Sequence, residues 1–302
     1  MNSNTKYTPW IVIAILSLIW SSTWLAIKIG LETLPPFLSA GWRFFTAFLV
    51  LSIYAYKLKL KFPRDLKSHL FFLLFSLVNF SGGYALVYWG EQYINSGLAS
   101  VLFSVMPFYV AVFSIKFLPS EEITFKKMLG ILIGFAGIVV IFSDQLHISH
   151  PYAVYGMIGV LISPAFSAAG TILGKKARAT YHPVTMNTLP LLYTGITFFI
   201  LHNLFESAGK SDFTIPAVLS ILYLGIMGTA VAFVLYFWLL KTTSAVLMSL
   251  ITFITPPLAL LWGWMVMGET ITLKLVFGML IIFSGIAVVR KSHSAPKVAP
   301  TP

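Results

Sequence analysis

The chain has 302 residues, 58% of them hydrophobic and 10% charged, with a formal net charge of +11 and no cysteine. A soluble domain of this composition has too little polar surface to cover its apolar content, whereas a bilayer can serve as its solvent. Disulfides and thiolate metal sites are excluded, and the six histidines are scattered without ligand spacing, so neither a metal nor another cofactor is expected.

Backbone groups in lipid must be paired within the spanning element, which leaves helices or a closed barrel. Barrel strands alternate apolar and polar residues over about ten positions. The continuous apolar runs Leu98–Val112 and Leu275–Val289 point to helices instead. Met1–Pro9 reads as a short polar leader without a small-residue cleavage site. Ten spans of about 20 residues follow. They are Trp10–Gly30, Pro36–Tyr56, His69–Trp89, Gly97–Phe117, Lys127–Ser143, Tyr152–Leu173, Val184–Asn203, Ile215–Leu240, Ala245–Met267 and Leu273–Val289. The eighth is long, so a tilt or a loop segment is expected in it. The loops are too short for a soluble catalytic domain, and the Pro/Ala-rich tail 292–302 is expected to be disordered.

Alternate loops differ sharply in charge: 16 of the 20 basic residues fall on one set of faces, including Lys57, Lys59, Lys61, Arg64 and Lys67 in a single loop. The positive-inside rule then puts both termini in the cytoplasm and accounts for the high charge by topology, with no nucleic-acid partner required. The expected setting is the cell (inner) membrane.

Slid against itself by 148 residues, the chain matches without a gap. Lys28 falls on Lys176, Pro35 on Pro183, Tyr88 on Tyr236, Ser96 on Ser244, Gly130 on Gly278 and Gly137 on Gly285. Glu121-Glu-Ile-Thr-Phe-Lys126 falls on Glu269-Thr-Ile-Thr-Leu-Lys274. This divides the chain into a first five-helix repeat, 1–145, and a second, 146–291. Five is odd, so the second repeat enters from the opposite side and the two are inverted. Inverted repeats are typical of secondary transporters, with a solute site near the midplane between the halves.

Trp20-Ser-Ser-Thr-Trp24 with Lys28, Arg43, Ser96-Gly-Leu-Ala-Ser100, Pro107 leading to Glu121, Pro256 leading to Gly268-Glu269, and the glycines 130, 134 and 137 together resemble the drug/metabolite transporter superfamily. The similarity is to its ten-helix, two-repeat branch, the EamA-like exporters. That resemblance implies an all-α membrane fold and proton- or exchange-coupled movement of metabolites, amino acids or drugs. It does not name the substrate.

Arg43 lies inside span two, where a charge is costly and functional by default. It reads either as an anchor for a solute carboxylate or phosphate, or as a structural group paired within the fold. Glu91, at the end of span three, is a candidate coupling carboxylate or else a solvated helix end. Lys28 reads as a snorkelling residue or as positive potential at a cavity mouth. Trp20, Ser22, Trp24, Asn79, Tyr84, Tyr88, Asn187, Thr229 and Tyr236 are candidate substrate-binding residues, since rings with scattered hydroxyls and amides suit an apolar pocket. The aromatics equally suit interfacial belts. Pro107 and Pro256 are candidate hinges. The glycines of spans five and ten are packing positions, with a dimer contact as an option. No catalytic constellation is present, so an enzyme is not expected.

The best reading is a secondary transporter, monomeric or homodimeric, that exports a small metabolite such as an amino acid by alternating access. Efflux of aromatic or cationic drugs is the alternative. A non-transporting assembly subunit and an intramembrane lipid enzyme are the rivals from other classes.

Overall fold

The computed structural model describes residues 4–119, 122–142, 150–177, 179–206, 211–267 and 273–291. Glu121, Gly268, Glu269 and the tail 292–302 lie outside them. The described residues contain no strand and form ten helical rods. These are α1 (Asn4–Leu31), α2 (Pro36–Lys57), α3 (Leu66–Gly90), α4 (Ser96–Phe117), α5 (Phe125–Phe142), α6 (Ala153–Ala177), α7 (Pro183–Phe205) and α8 (Ile215–Leu240). α9 joins Ala245–Ser249 to Ile251–Met267, and α10 is Leu273–Lys291. Seven of them are long and apolar enough to cross a bilayer by themselves. Large apolar side chains such as Ile115, Leu132, Leu219 and Phe277 are exposed on the outside of the bundle. The chain is a multi-pass membrane protein.

Equivalent helices of the two halves run antiparallel, as inversion requires. The start of α2 lies at the end of α7, where the Glu206 carboxylate accepts the backbone N–H groups of Phe37 at 2.9 Å and Leu38 at 3.3 Å. Those N–H groups have no partner within their own helix. α5 and α10 form the most extensive helix pair in the fold. Gly130 meets the backbone of Gly285, and Gly137 meets that of Gly278. Lipid supplies no hydrophobic drive between helices, so close backbone approach through small residues takes its place. The glycines of spans five and ten therefore pack on each other within one chain.

The local devices also come in pairs. Asp65 and Thr214 cap α3 and α8, accepting the N–H groups of Ser68 and Ala217. Asn95 and Ser244 cap α4 and α9, accepting those of Leu98 and Leu247. Pro36 and Pro183 begin α2 and α7, where a missing N–H is harmless. These pairs correct the gapless register. It is one residue too long around Pro36 and Pro183, and one residue too short at Asn95 and Ser244.

α3 and α8 each contain a π-helical stretch, Ser76–Gly82 and Ile226–Val231. An added residue per turn accounts for part of the length of span eight, without a loop segment. Two of the prolines inside rods, Pro164 and Pro256, are accommodated by the preceding hydroxyl. Ser163 donates to the Val160 carbonyl that Pro164 leaves without its backbone donor, at 2.9 Å. Thr255 does the same for Thr252 before Pro256, at 3.3 Å. Pro107 follows a break at Ser104–Val105 and sits in the first turn of the helical segment Met106–Phe117, so it starts a helix rather than kinking one.

A Cβ added at Gly285 would lie 2.6 Å from the Gly130 carbonyl oxygen and 2.6 Å from the Gly134 nitrogen, both rigid backbone. Gly285→Val is therefore expected to lower stability by about 1–3 kcal/mol or more. Thermal unfolding in detergent checks this, with Phe283→Ala on the exposed face of α10 remaining near the parent.

Candidate functional site

The centre of the bundle encloses a cavity of about 80 Å3. α1 contributes Trp20, Thr23, Trp24 and Ile27, α2 Arg43, and α3 Asn79, Gly83, Tyr84 and Val87. α4 adds Phe103 and Met106, α6 Ser167 and Thr171, α8 Phe233 and Tyr236, and α9 Met248, Thr252 and Thr255. α5, α7 and α10 stay outside this wall. Among the described residues, Arg43 is the one charged residue lining it.

Arg43 is 1% exposed. Its Nε donates to Thr229 Oγ1 at 2.9 Å and its Nη1 to the Tyr88 hydroxyl at 3.4 Å. The Tyr84 ring lies beneath the guanidinium, 4.7 Å from Cζ, in cation–π contact. No carboxylate among the described residues lies within 4.0 Å. The guanidinium is thus held in position by neutral groups, with part of its fork directed at the cavity.

Asn79 and Thr229 stand on the two π-helical stretches, which turn one polar residue from each half toward the centre. Thr229 also donates to the Leu224 carbonyl, and so serves as a rest for Arg43. Asn79 leaves Nδ2 buried without a partner while lining the cavity. Its amide fits because Gly170 of α6 is opposite: a Cβ there would lie 2.0 Å from Asn79 Oδ1. The unpaired donor Asn79 Nδ2 and the Arg43 guanidinium therefore share one apolar wall.

Trp20, Trp24, Arg43, Asn79, Tyr84 and Tyr236 all line the cavity. Trp20 donates from its indole to the Gly228 carbonyl at 3.2 Å and meets the rings of Phe233 and Tyr236 at a tilt. Tyr236 shares a hydrogen bond with Thr171 at 2.9 Å. Tyr88 and Thr229 stand behind the wall as partners of Arg43. Ser22 is turned to Tyr223 at 2.6 Å, and Asn187 donates to the Pro183 carbonyl of its own helix at 2.7 Å; neither reaches the cavity. Pro107 and Pro256 lie beside cavity residues Met106 and Thr255. Gly170, Thr171 and the π-helical turns were not marked by sequence. The Gly-rich stretches Gly82–Gly83 and Gly225–Gly228 were the available signal, since π-helical turns leave no trace in apolar periodicity.

Lys28 does not snorkel into water. Its ammonium donates to the Glu91 carbonyl at 2.6 Å and to the Ile94 carbonyl at 3.0 Å, bolting α1 to the α3–α4 turn. Lys175 makes the same bolt at the opposite end, donating to the carbonyls of Leu240 (3.0 Å) and Thr243. The structural counterpart of Lys28 is therefore Lys175 and not Lys176, which is exposed. By the same token Glu91 answers to Leu240 rather than Leu239. Glu91 is fully buried, and both carboxyl oxygens lack a hydrogen-bond partner. Beyond it, at the Lys28 end, a recess of about 1020 Å3 is lined by Glu32, Glu206, Asp212, Trp89 and Tyr93 among others.

The EamA-like transporter family model matches residues 8–143 and again 154–291. The chain belongs to this family. It is 30% identical over 286 residues to the uncharacterized transporter YoaV of Bacillus subtilis, covering 93% of this chain and 96% of that one. An uncharacterized transporter of Archaeoglobus fulgidus is 32% identical over 285 residues, covering 93% and 98%. Protein PagO of Salmonella typhimurium is 30% identical over 251 residues, covering 82% of each chain. One crystal structure superposes with a TM-score of 0.80 at 19% identity, over 95% of this chain and 99% of that one, and so shares the fold. The EamA-like chain is a membrane transporter by family, with its repeats lying where the model matches twice.

The tight fit of Asn79 against Gly170 makes their contributions interdependent. Gly170→Ala alone is expected to destabilise by about 1–3 kcal/mol. Combined with Asn79→Ala it should recover at least half of that loss, giving a coupling energy of roughly 1–2 kcal/mol in a double-mutant cycle of thermal unfolding.

Proposed function

We propose that this EamA-like protein is a secondary active carrier that exports a small carboxylate-bearing metabolite, such as an amino acid, by alternating access coupled to protons. The observation that carries this reading is the Arg43 guanidinium, buried with no counter-ion among the described residues in the wall of a cavity between inverted halves. Burying an unpaired charge costs several kcal/mol. A solute carboxylate would supply the missing charge, with Arg43 Nη2 and Asn79 Nδ2 as donors and the Trp20, Trp24 and Tyr84 rings around its apolar part. The cavity of about 80 Å3 is small beside the roughly 300–1,000 Å3 that hold drug-sized ligands. That favours a compact solute.

Orientation rests on the loop charges. The basic loops face the cytoplasm, so both termini lie inside, and the Lys28 end with its acidic recess faces outward. Export then releases solute through that recess. Efflux of aromatic cations is the second reading, favoured by Glu32, Glu206 and Asp212 in the recess and by the rings in the cavity. It conflicts with Arg43, which would repel a cation.

Counterflow in proteoliposomes tests the assignment, using labelled amino acids and aromatic cations with and without a pH gradient. Saturable exchange of a carboxylate solute is expected. Arg43→Ala should reduce it by about 10–100-fold, the equivalent of one charge-assisted hydrogen-bond pair. Arg43→Lys, which keeps the charge but not the fork, should restore it only in part. Undiminished carboxylate exchange in Arg43→Ala would overturn the anchor.

A further inference from the structure

We propose that Glu91 is a proton-binding site, separate from the solute cavity, and that its proton holds the Lys28 end of the bundle shut. This deepens the transport reading and rests on it for its purpose. Its geometry stands on three observations of its own.

The first is a broken symmetry. Both ends of the bundle are bolted by a lysine ammonium on two backbone carbonyls, Lys28 on Glu91 and Ile94, Lys175 on Leu240 and Thr243. At the Lys175 end, the residue whose carbonyl is bolted is a leucine. At the Lys28 end it is a glutamate. An inverted pair needs a lysine at each end, but nothing in the bolt itself needs a carboxyl group.

The second is the state of that carboxyl. Glu91 has no exposed surface, and neither Oε1 nor Oε2 has a hydrogen-bond partner among the described residues. An ionised carboxylate in that condition is costly, whereas the neutral acid is tolerated. The closed geometry therefore belongs to the protonated form. It does not line the central cavity, so solute is not its partner.

The third is its surroundings. The charged groups facing it are Lys28 from α1 and Arg43 from α2, with the Tyr88 phenol on its own helix. α6 packs beside it through Gly156 and Val160 against Gly90, and α4 brings the Asn95 cap, none of which titrates. Lys28 is occupied by carbonyls, and Arg43 by Thr229 and Tyr88. No ion pair to Glu91 forms within 4.0 Å among the described residues.

Loss of the proton to water in the adjoining recess leaves a carboxylate beside an ammonium. The carboxylate then has to be hydrated, or Lys28 has to leave the two carbonyls to meet it. Either change undoes the bolt between α1 and the α3–α4 turn. Rebinding a proton restores the neutral acid and the closed mouth. High pH thus opens the Lys28 end and low pH closes it. On the exporting reading, a proton taken up from outside closes the emptied carrier.

The chain has no native cysteine, so a spin-label pair can be placed without background. Glu32→Cys at the end of α1 and Gln92→Cys on the α3–α4 turn are both exposed and flank the bolt. Double electron–electron resonance in nanodiscs, without any solute, reads the distance between them at about pH 5 and about pH 8.5, a range that brackets a buried carboxyl. The expected result is one short population at the lower pH and a growing longer population at the higher. Glu91→Gln and Glu91→Leu should keep the short population throughout, and Lys28→Met should populate the longer one at both values. A pH-independent distribution in the labelled parent, or a pH response retained in Glu91→Gln, would overturn the proposal. Because no solute is used, a silent flux assay bears on the transport reading and leaves this result standing.

Discussion

A guanidinium buried in an apolar bundle, with no counter-ion among the described residues, constrains nearly everything around it. Arg43 has to be kept charged, so its neighbours must stabilise a cation with neutral groups: the Thr229 hydroxyl, the Tyr88 phenol and the Tyr84 ring. They come from both halves of the chain, Thr229 from α8 and the two tyrosines from α3. Thr229 reaches it because α8 winds into a π-helical turn, and Tyr84 and Tyr88 share one face of α3 at i, i+4. Satisfying Arg43 fully inside the protein would have been simple with one carboxylate. On the proposed reading, a solute carboxylate takes the place of that missing charge.

The two halves share their mechanics and differ in their chemistry. Helix caps, glycine contacts, π-helical turns and lysine bolts all occur in pairs. Such pairing is what the proposed alternating access requires, since each half would have to adopt the other's conformation. The arginine and the buried glutamate have no twin: α7 contains no arginine, and Leu240 stands where Glu91 would be. On the proposed reading, the symmetric parts serve the motion and the unpaired residues serve binding and its coupling.

Much of this was legible in the sequence. The ten spans, the inverted repeat and the family follow from apolar runs, loop charge and a self-match. Arg43 stood out because an arginine within a span needs a reason. What escaped was register and direction. A gapless self-match cannot show that the offset changes by a residue between helix pairs, so Lys28 was set against Lys176 when Lys175 carries the bolt. Ser22 and Trp24 are two residues apart on one helix, yet only Trp24 meets the cavity, because helix rotation is fixed by the neighbours on each side. Asn187 looked like a free amide and instead closes a hydrogen bond within its own first turn. The π-helical turns were invisible for the same reason: a single added residue shifts facing without changing composition.

The central claim is that Arg43 is retained for its solute and against the stability of the empty protein. Replacing a buried ion pair by apolar residues of similar volume is often neutral or stabilising by about 1–4 kcal/mol, and removal of Arg43 strands no partner charge within 4.0 Å among the described residues. The most direct measurement is therefore thermal unfolding of Arg43→Met beside the parent, without solute, followed by carboxylate counterflow of both. A more stable variant that has lost counterflow is the predicted result. A variant that is several kcal/mol less stable and still exchanges carboxylates would mean that Arg43 is a structural post and that the solute binds elsewhere.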